Sequence, residues 1–147
     1  MKSKLAQNKN SIEVLCAAIA ELKLFQDLLM DCPTKYHGNL LAKVVGCDTI
    51  PFFLITETGD LFSEFNIKEK YNTNYFRIES IDKTMCLITI SLLKPLDIEG
   101  NYTDSISDVF RLEKSNVSKV IDLSQICAIQ LLEIELLKRN IIIEPKW

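Results

Sequence analysis

Five cysteines and a single histidine are the side chains of this chain best suited to chemistry beyond hydrogen bonding. His37 follows Cys32 across a short proline-containing stretch, and a thiol beside an imidazole can act as a nucleophile with its base. Nothing nearby in the sequence would orient that imidazole, and no oxyanion donor is recognisable. Cys32, His37 and Cys47, with Asp48 as a fourth group, have the chemistry of zinc ligands, yet their spacing matches no common structural zinc pattern. Asp27 with Asp31, and Glu133 with Glu135, read more simply as solvent-facing charges than as paired catalytic carboxylates. The four glycines, at positions 38, 46, 59 and 100, never cluster into a phosphate-cradling loop. The expectation is a protein without a catalytic centre, a metal or a cofactor.

The thiols themselves are scattered, with no C-x-x-C. An odd number in a chain with no apolar leader reads as free thiols, often buried. The alternative is pairing between molecules in a compartment that later becomes oxidising. Cys86, on the apolar side of a strand, and Cys127, at the start of an alternating run, are expected to be buried. Cys32, beside Pro33 at a helix end, and Cys47, next to Gly46, are expected to react first.

The elements that must position these groups begin with a helix over 11–31, after a flexible N-terminus at 1–10. Asn10 and Glu13 have the spacing of a capping box. Ile12, Leu15, Cys16, Ile19 and Leu22 form one apolar stripe, after which Leu24, Phe25, Leu28 and Leu29 carry the apolar character on another side. That change of face allows a helix wedged between a sheet and a loop, or one shared with a neighbouring subunit. Pro33 ends the helix, and 34–48 reads as a loop.

A β-rich core is expected over 48–137. Its organising stretch is 48–66, where Ile50–Ile55 and Leu61–Phe65 flank a turn at Gly59 and Pro51 marks a strand start. The stretch 66–74 reads as a polar gap. Tyr75–Ile81 and Met85–Leu93 form a second hairpin, with Cys86, Ile88, Ile90 and Leu92 on one face of a central strand closed by Pro95. Val109–Glu113 and Val117–Leu123 are strands separated by a turn at 114–116. The stretch 124–137 is ambiguous between strand and helix. The tail, 138–147, carries Ile141, Ile142 and Ile143 and should add as an edge strand, to its own sheet or to another subunit. The expected fold is α+β, mainly β: one domain over 1–147, an antiparallel β-sandwich with an N-terminal amphipathic helix.

Composition narrows the function classes. With 48% apolar and 25% charged residues the chain has the profile of a globular domain, and a net charge of −3 offers no footprint for nucleic acid. The three lysines before the first helix precede no apolar stretch, so no secretory signal is expected. No run approaches the roughly 18 apolar residues that cross a bilayer, so no membrane partner is expected either.

Several blocks, in order, resemble the CotY/CotZ/ExsY group of spore coat and exosporium structural proteins. They are Cys32-Pro33-Thr34, Gly38-Asn39-Leu40-Leu41, Asp48-Thr49-Ile50-Pro51-Phe52, Gly59-Asp60-Leu61-Phe62, Tyr75-Phe76-Arg77-Ile78-Glu79, the Cys86–Leu93 strand, Leu112-Glu113-Lys114, and Ile121-Asp122-Leu123-Ser124 followed by Cys127-Ala128-Ile129-Gln130. The resemblance implies a structural protein of the spore surface (outer coat or exosporium), made in the mother-cell cytoplasm. Its implied partners are copies of itself, in an oligomer or two-dimensional lattice, and other coat or exosporium proteins. It also implies disulfides between subunits, for which Cys32, Cys47 and Cys16 are the candidates, while Leu24, Leu28 and Ile141–Ile143 are candidates for the assembly surface. Cys16, Cys32, Cys86 and Cys127 fall where the family has cysteines. The family is usually richer in them, with thiols expected near Tyr36, Gln125 and Leu131, and Cys47 looks private to this sequence. The competing class is a carbohydrate- or peptide-binding β module, which predicts exposed aromatics among Tyr71, Tyr75, Tyr102 and Trp147.

Overall fold

The structure, a computed structural model, describes residues 2–30, 33–34, 38–39, 49–132 and 142–143, with side chains placed over 11–28 and 49–132. The first element, α1 (Lys2–Met30), starts well before the expected cap. Asn10 and Glu13 therefore lie inside the helix, and the stretch expected to be flexible is helical from Lys2 onward. Its residues explain the extension: Lys, Leu, Ala and Gln are good helix formers, no Gly or Pro interrupts them, and an interior Asn costs well under 1 kcal/mol.

Leu15, Cys16, Ile19 and Leu22 are buried on the inner face of α1. Full burial of each leucine or isoleucine side chain contributes about 1.5–3 kcal/mol, which holds the helix in place far more strongly than its propensity does. The stripe does not change side after Leu22. It continues one turn further to Gln26, which is buried and spans two elements: its Nε2 donates to the Ile78 carbonyl at 2.7 Å and its Oε1 accepts from the Ile50 N–H at 3.3 Å. Leu24, Phe25 and Leu28 lie on the outer face.

Six strands make the main sheet: β3 (Phe52–Thr56), β6 (Phe76–Asp82), β7 (Leu87–Leu96), β8 (Arg111–Asp122), β9 (Ile126–Leu131) and β10 (Ile142–Ile143). Their order is β10-β8-β7-β6-β3-β9, antiparallel throughout except for the β10–β8 pair. Two short pairs, β1 (Pro33–Thr34) with β2 (Gly38–Asn39) and β4 (Glu64–Asn66) with β5 (Tyr71–Thr73), complete the described strands. The protein is α+β and mainly β, as expected. Among the described residues the layers are one large sheet with α1 across one face and two short strand pairs beside it.

Several local expectations are corrected. The turn at Thr56–Asp60 is present, with Gly59 at φ +87, but the hairpin arm beyond it is one bridge long, Ile55 to Leu61. The chief partner of β3 is β9. The polar stretch 66–74 is not a gap but the β4–β5 hairpin, whose turn Asn66 builds by accepting from the Lys68 and Glu69 N–H groups. Pro95 lies within β7, opposite Leu112. It is accommodated because β6 ends at the Phe76–Leu92 pair, so this part of β7 shares a ladder with β8 but not with β6. No turn interrupts β8 at 114–116. Ser115 is buried there, donating to the Leu92 carbonyl at 2.7 Å and accepting from the Val117 N–H, and the strand absorbs the extra residues as a bulge. In the ambiguous stretch, 126–131 is strand and 133–137 lies outside the described residues.

Alternation across the sheet creates two cores. Phe52, Leu54, Phe76, Ile78, Ile88, Ile90, Leu92 and Ile121 face α1, and Leu123 and Ile126 close that cluster. Phe53, Tyr75, Leu93, Val109, Leu112 and Leu132 pack together on the opposite face. The central strand β7 is thus covered on both sides, with Ile88, Ile90 and Leu92 in one cluster and Leu93 in the other.

Candidate functional site: thiols and exposed apolar surface

Cys16 sits in the middle of the buried stripe of α1, 6% exposed. The interior raises its thiol to about 11, first by desolvation and then through the adjacent Cys86 side chain. This placement removes Cys16 from the candidates for contact with another subunit: a thiol that packs between Leu15 and Ile19 on the sheet cannot also meet a second molecule.

Cys86 is not on the apolar face of a strand. It is the last residue of the turn before β7, at φ +51, and it is half-buried. Asp82 shapes that turn by accepting from the Thr84 and Met85 N–H groups, and the Cys86 carbonyl accepts from Leu123 N–H at 3.1 Å. Its Sγ lies 3.7 Å from the Lys83 carbonyl and packs against the α1-side core.

Cys127 was expected to be buried and is exposed. The reason is a register shift in the β3–β9 ladder: Ile55 pairs with Ala128 but Thr56 pairs with Ile126. Cys127 is the extra residue of that bulge, so Ile126 stays in the core while the thiol turns outward. Alternation alone could not reveal this. It lines a shallow surface shelf with Val14 and Ala18 of α1 and Ile129 of β9. Cys32 and Cys47, with His37 and Asp48, lie outside the described residues, as do Glu133, Glu135, Asp31 and Trp147. Asp27 is paired with Lys23 at 2.6 Å, and the described residues contain no group of three or more His, Cys, Asp or Glu placed to hold a metal.

The candidate assembly residues divide likewise. Leu24 and Leu28 are 65% and 53% exposed, and Phe25, which the sequence placed in the same apolar set, stands beside them at 55%. Ile142 and Ile143 are paired in their own sheet, opposite Arg111 and Leu112, which is the intramolecular of the two dockings the tail allowed. Ile141 lies outside the described residues.

Tyr71 and Tyr75 are buried rather than presented to a ligand. Tyr71 packs against Tyr102 with ring centroids 5.5 Å apart, and Tyr102 donates its hydroxyl to the Asn72 carbonyl at 2.7 Å. These rings hold the β4–β5 hairpin to the main sheet.

One polar constellation escaped the sequence reading. Arg77, 1% exposed, donates from Nε to the Thr49 hydroxyl at 2.9 Å and from Nη1 to Glu79 Oε1 at 2.6 Å. Ser91 donates to the same oxygen at 2.6 Å, and Lys114 Nζ lies 3.4 Å away. Burial pushes the Glu79 carboxyl up, but the hydrogen bonds from Ser91 and Arg77 and the charges of Arg77 and Lys114 outweigh it and hold it below its ordinary value. Glu79 is itself the bulged residue between the Ile78–Ile90 and Ser80–Thr89 pairs. The network joins β6, β7 and β8 through one carboxylate oxygen.

Comparison with known proteins gives two matches. The family model for spore coat protein Z matches residues 4–134. A curated relative, spore coat protein Z of Bacillus subtilis (strain 168), is 34% identical over 122 residues, covering 75% of this chain and 81% of the relative. No solved structure matches significantly.

Proposed function

The chain belongs to the spore coat protein Z family, and from that premise we propose that it is a structural component of the endospore's outer layers, coat or exosporium, that associates with copies of itself and with other coat proteins. Synthesis in the mother-cell cytoplasm is part of this reading, and among the described residues no helix is long and apolar enough to cross a membrane.

The observation that carries the self-association is the outer face of α1. Its inner face is packed on the sheet through Leu15, Ile19, Leu22 and Gln26, while Leu24, Phe25 and Leu28 project from the other side. An apolar cluster on both faces of one helix favours a second packing partner. Cys127, exposed on a bulged strand with β3 as its only partner among the described residues, is the thiol best placed for a bridge between subunits. Cys32 and Cys47 remain further candidates from the sequence. Such a bridge needs Cα atoms within about 7 Å across the contact.

Electron microscopy of the purified protein, with and without reductant, tests this reading. Ordered layers or large oligomers in reductant, made resistant to dissociation by oxidation, are the expected result. A defined monomer that saturates with a carbohydrate or peptide would favour the binding-module class instead.

A further inference from the structure

Cys16 and Cys86 come from distant parts of the sequence, yet the fold brings them together. Cys16 is fixed on the inner face of α1, and Cys86 is fixed in the β6–β7 turn and packs against the same core. Both line one cavity of about 400 Å³, together with Glu13, Ala17, Ala20 and Lys83. The two alanines leave a hollow beside the thiols through which a small reagent can approach. Cys86 packs against the cluster that holds Cys16, and after burial its side chain is the next cause that raises the Cys16 thiol.

The backbone at Cys86 adds an independent observation. A non-glycine residue at φ +51 carries a cost of order 1 kcal/mol, and Gly or Asn ordinarily fills such a turn position. Here the left-handed residue is the one whose sulfur meets α1. Because Asp82 holds the turn and Leu123 holds the Cys86 carbonyl, the sulfur is positioned by the fold and not by a freely rotating loop.

We propose that Cys16 and Cys86 are a vicinal dithiol that closes an intrachain disulfide by exchange with a small external disulfide. The Cys86 sulfur, as thiolate, attacks one sulfur of the reagent R–S–S–R, forming Cys86–S–S–R and releasing RS⁻. The Cys16 thiol then loses its proton to solvent, and its sulfur attacks that of Cys86, forming Cys16–S–S–Cys86 and releasing a second RS⁻. Two protein thiols are oxidised, one external disulfide is reduced to two thiols, and two protons are released. Cys86 goes first because it is the less buried of the two, and Cys16, with its thiol raised by burial, is the resolving partner. The bridge ties α1 to the β6–β7 turn and withdraws both sulfurs from links between molecules. The inference rests on the shared cavity and packing of the two thiols and not on the assembly reading.

The test uses the full-length chain with Cys32→Ser, Cys47→Ser and Cys127→Ser, which leaves this pair alone and replaces no residue of the buried core among the described residues. Oxidised glutathione is added to the native protein at mildly alkaline pH, and products are read by intact mass and a non-reducing peptide map. The expected product is a monomer lighter by about 2 Da, with the peptides holding Cys16 and Cys86 joined and a thermal midpoint raised by several degrees, all reversed by dithiothreitol. A persistent glutathione adduct on Cys86, a dimer linked through it, or two thiols left unchanged would each overturn the proposal. If the triple variant does not fold, the peptide map of the oxidised wild-type chain decides in the same way.

Discussion

Glu79 illustrates how much a single side chain carries here. Its carboxylate is held by Ser91, Arg77 and Lys114, and it is ionised more readily in the folded protein than in the unfolded chain. Stability from a depressed carboxyl is fully present above its unfolded pKa of about 4.3 and is lost as pH falls through the lower folded value. Glu79→Gln should therefore destabilise by about 1–3 kcal/mol at neutral pH, and the gap from wild type should close in acid below the ordinary carboxylate range. Urea unfolding as a function of pH reads this directly; a gap that widens in acid would contradict it. Arg77→Met leaves the partly buried carboxylate without its main cation and should cost about 3 kcal/mol or more, with the double variant less damaging than the sum. The thiols make a second residue-scale prediction. Cys127 should alkylate fast in the native protein, Cys86 more slowly and Cys16 last, since a thiol at about 11 is roughly a thousandth ionised at pH 8. Rapid labelling of Cys16 would contradict its placement.

At the scale of elements, apolar periodicity made the central hairpin and the inner stripe of α1 legible from the sequence. Ile88, Ile90 and Leu92 alternate with Thr89 and Ser91 as a strand should, and Leu15, Cys16, Ile19 and Leu22 recur as a helix face should. The bulges were not legible. A shift of one residue at Glu79 or Cys127 leaves no trace in local propensity, and the longer interruption at Ser115 depends on a side-chain bond to the distant Leu92 carbonyl. From alternation and composition alone Cys127 belongs to the interior and 114–116 to a turn. Gln26 misled in another way: a polar residue at a core position looks like the end of a stripe until its two backbone partners are known. Ser115→Ala should cost about 1–3 kcal/mol, because the Val117 N–H loses its acceptor and the Leu92 carbonyl its donor. Thermal unfolding would show a loss of that size; no change would mean that the bulge persists without its serine.

For the whole molecule, the sheet and the inner face of α1 form a packed unit, and Leu24, Phe25 and Leu28 on the outer side of the same helix are among the apolar residues left exposed. The proposed self-association would run through that face, with thiol chemistry as reinforcement and not as the primary contact. The most direct measurement is sedimentation velocity across a concentration series, in reductant, for the wild-type chain and for Leu24→Glu/Leu28→Glu, with thermal unfolding recorded on the same samples. The account predicts that wild type grows into large species with concentration, while the variant stays monomeric and unfolds within a few degrees of wild type, since exposed positions tolerate charge. A wild-type monomer at every concentration, or a variant that assembles as wild type does, would contradict it.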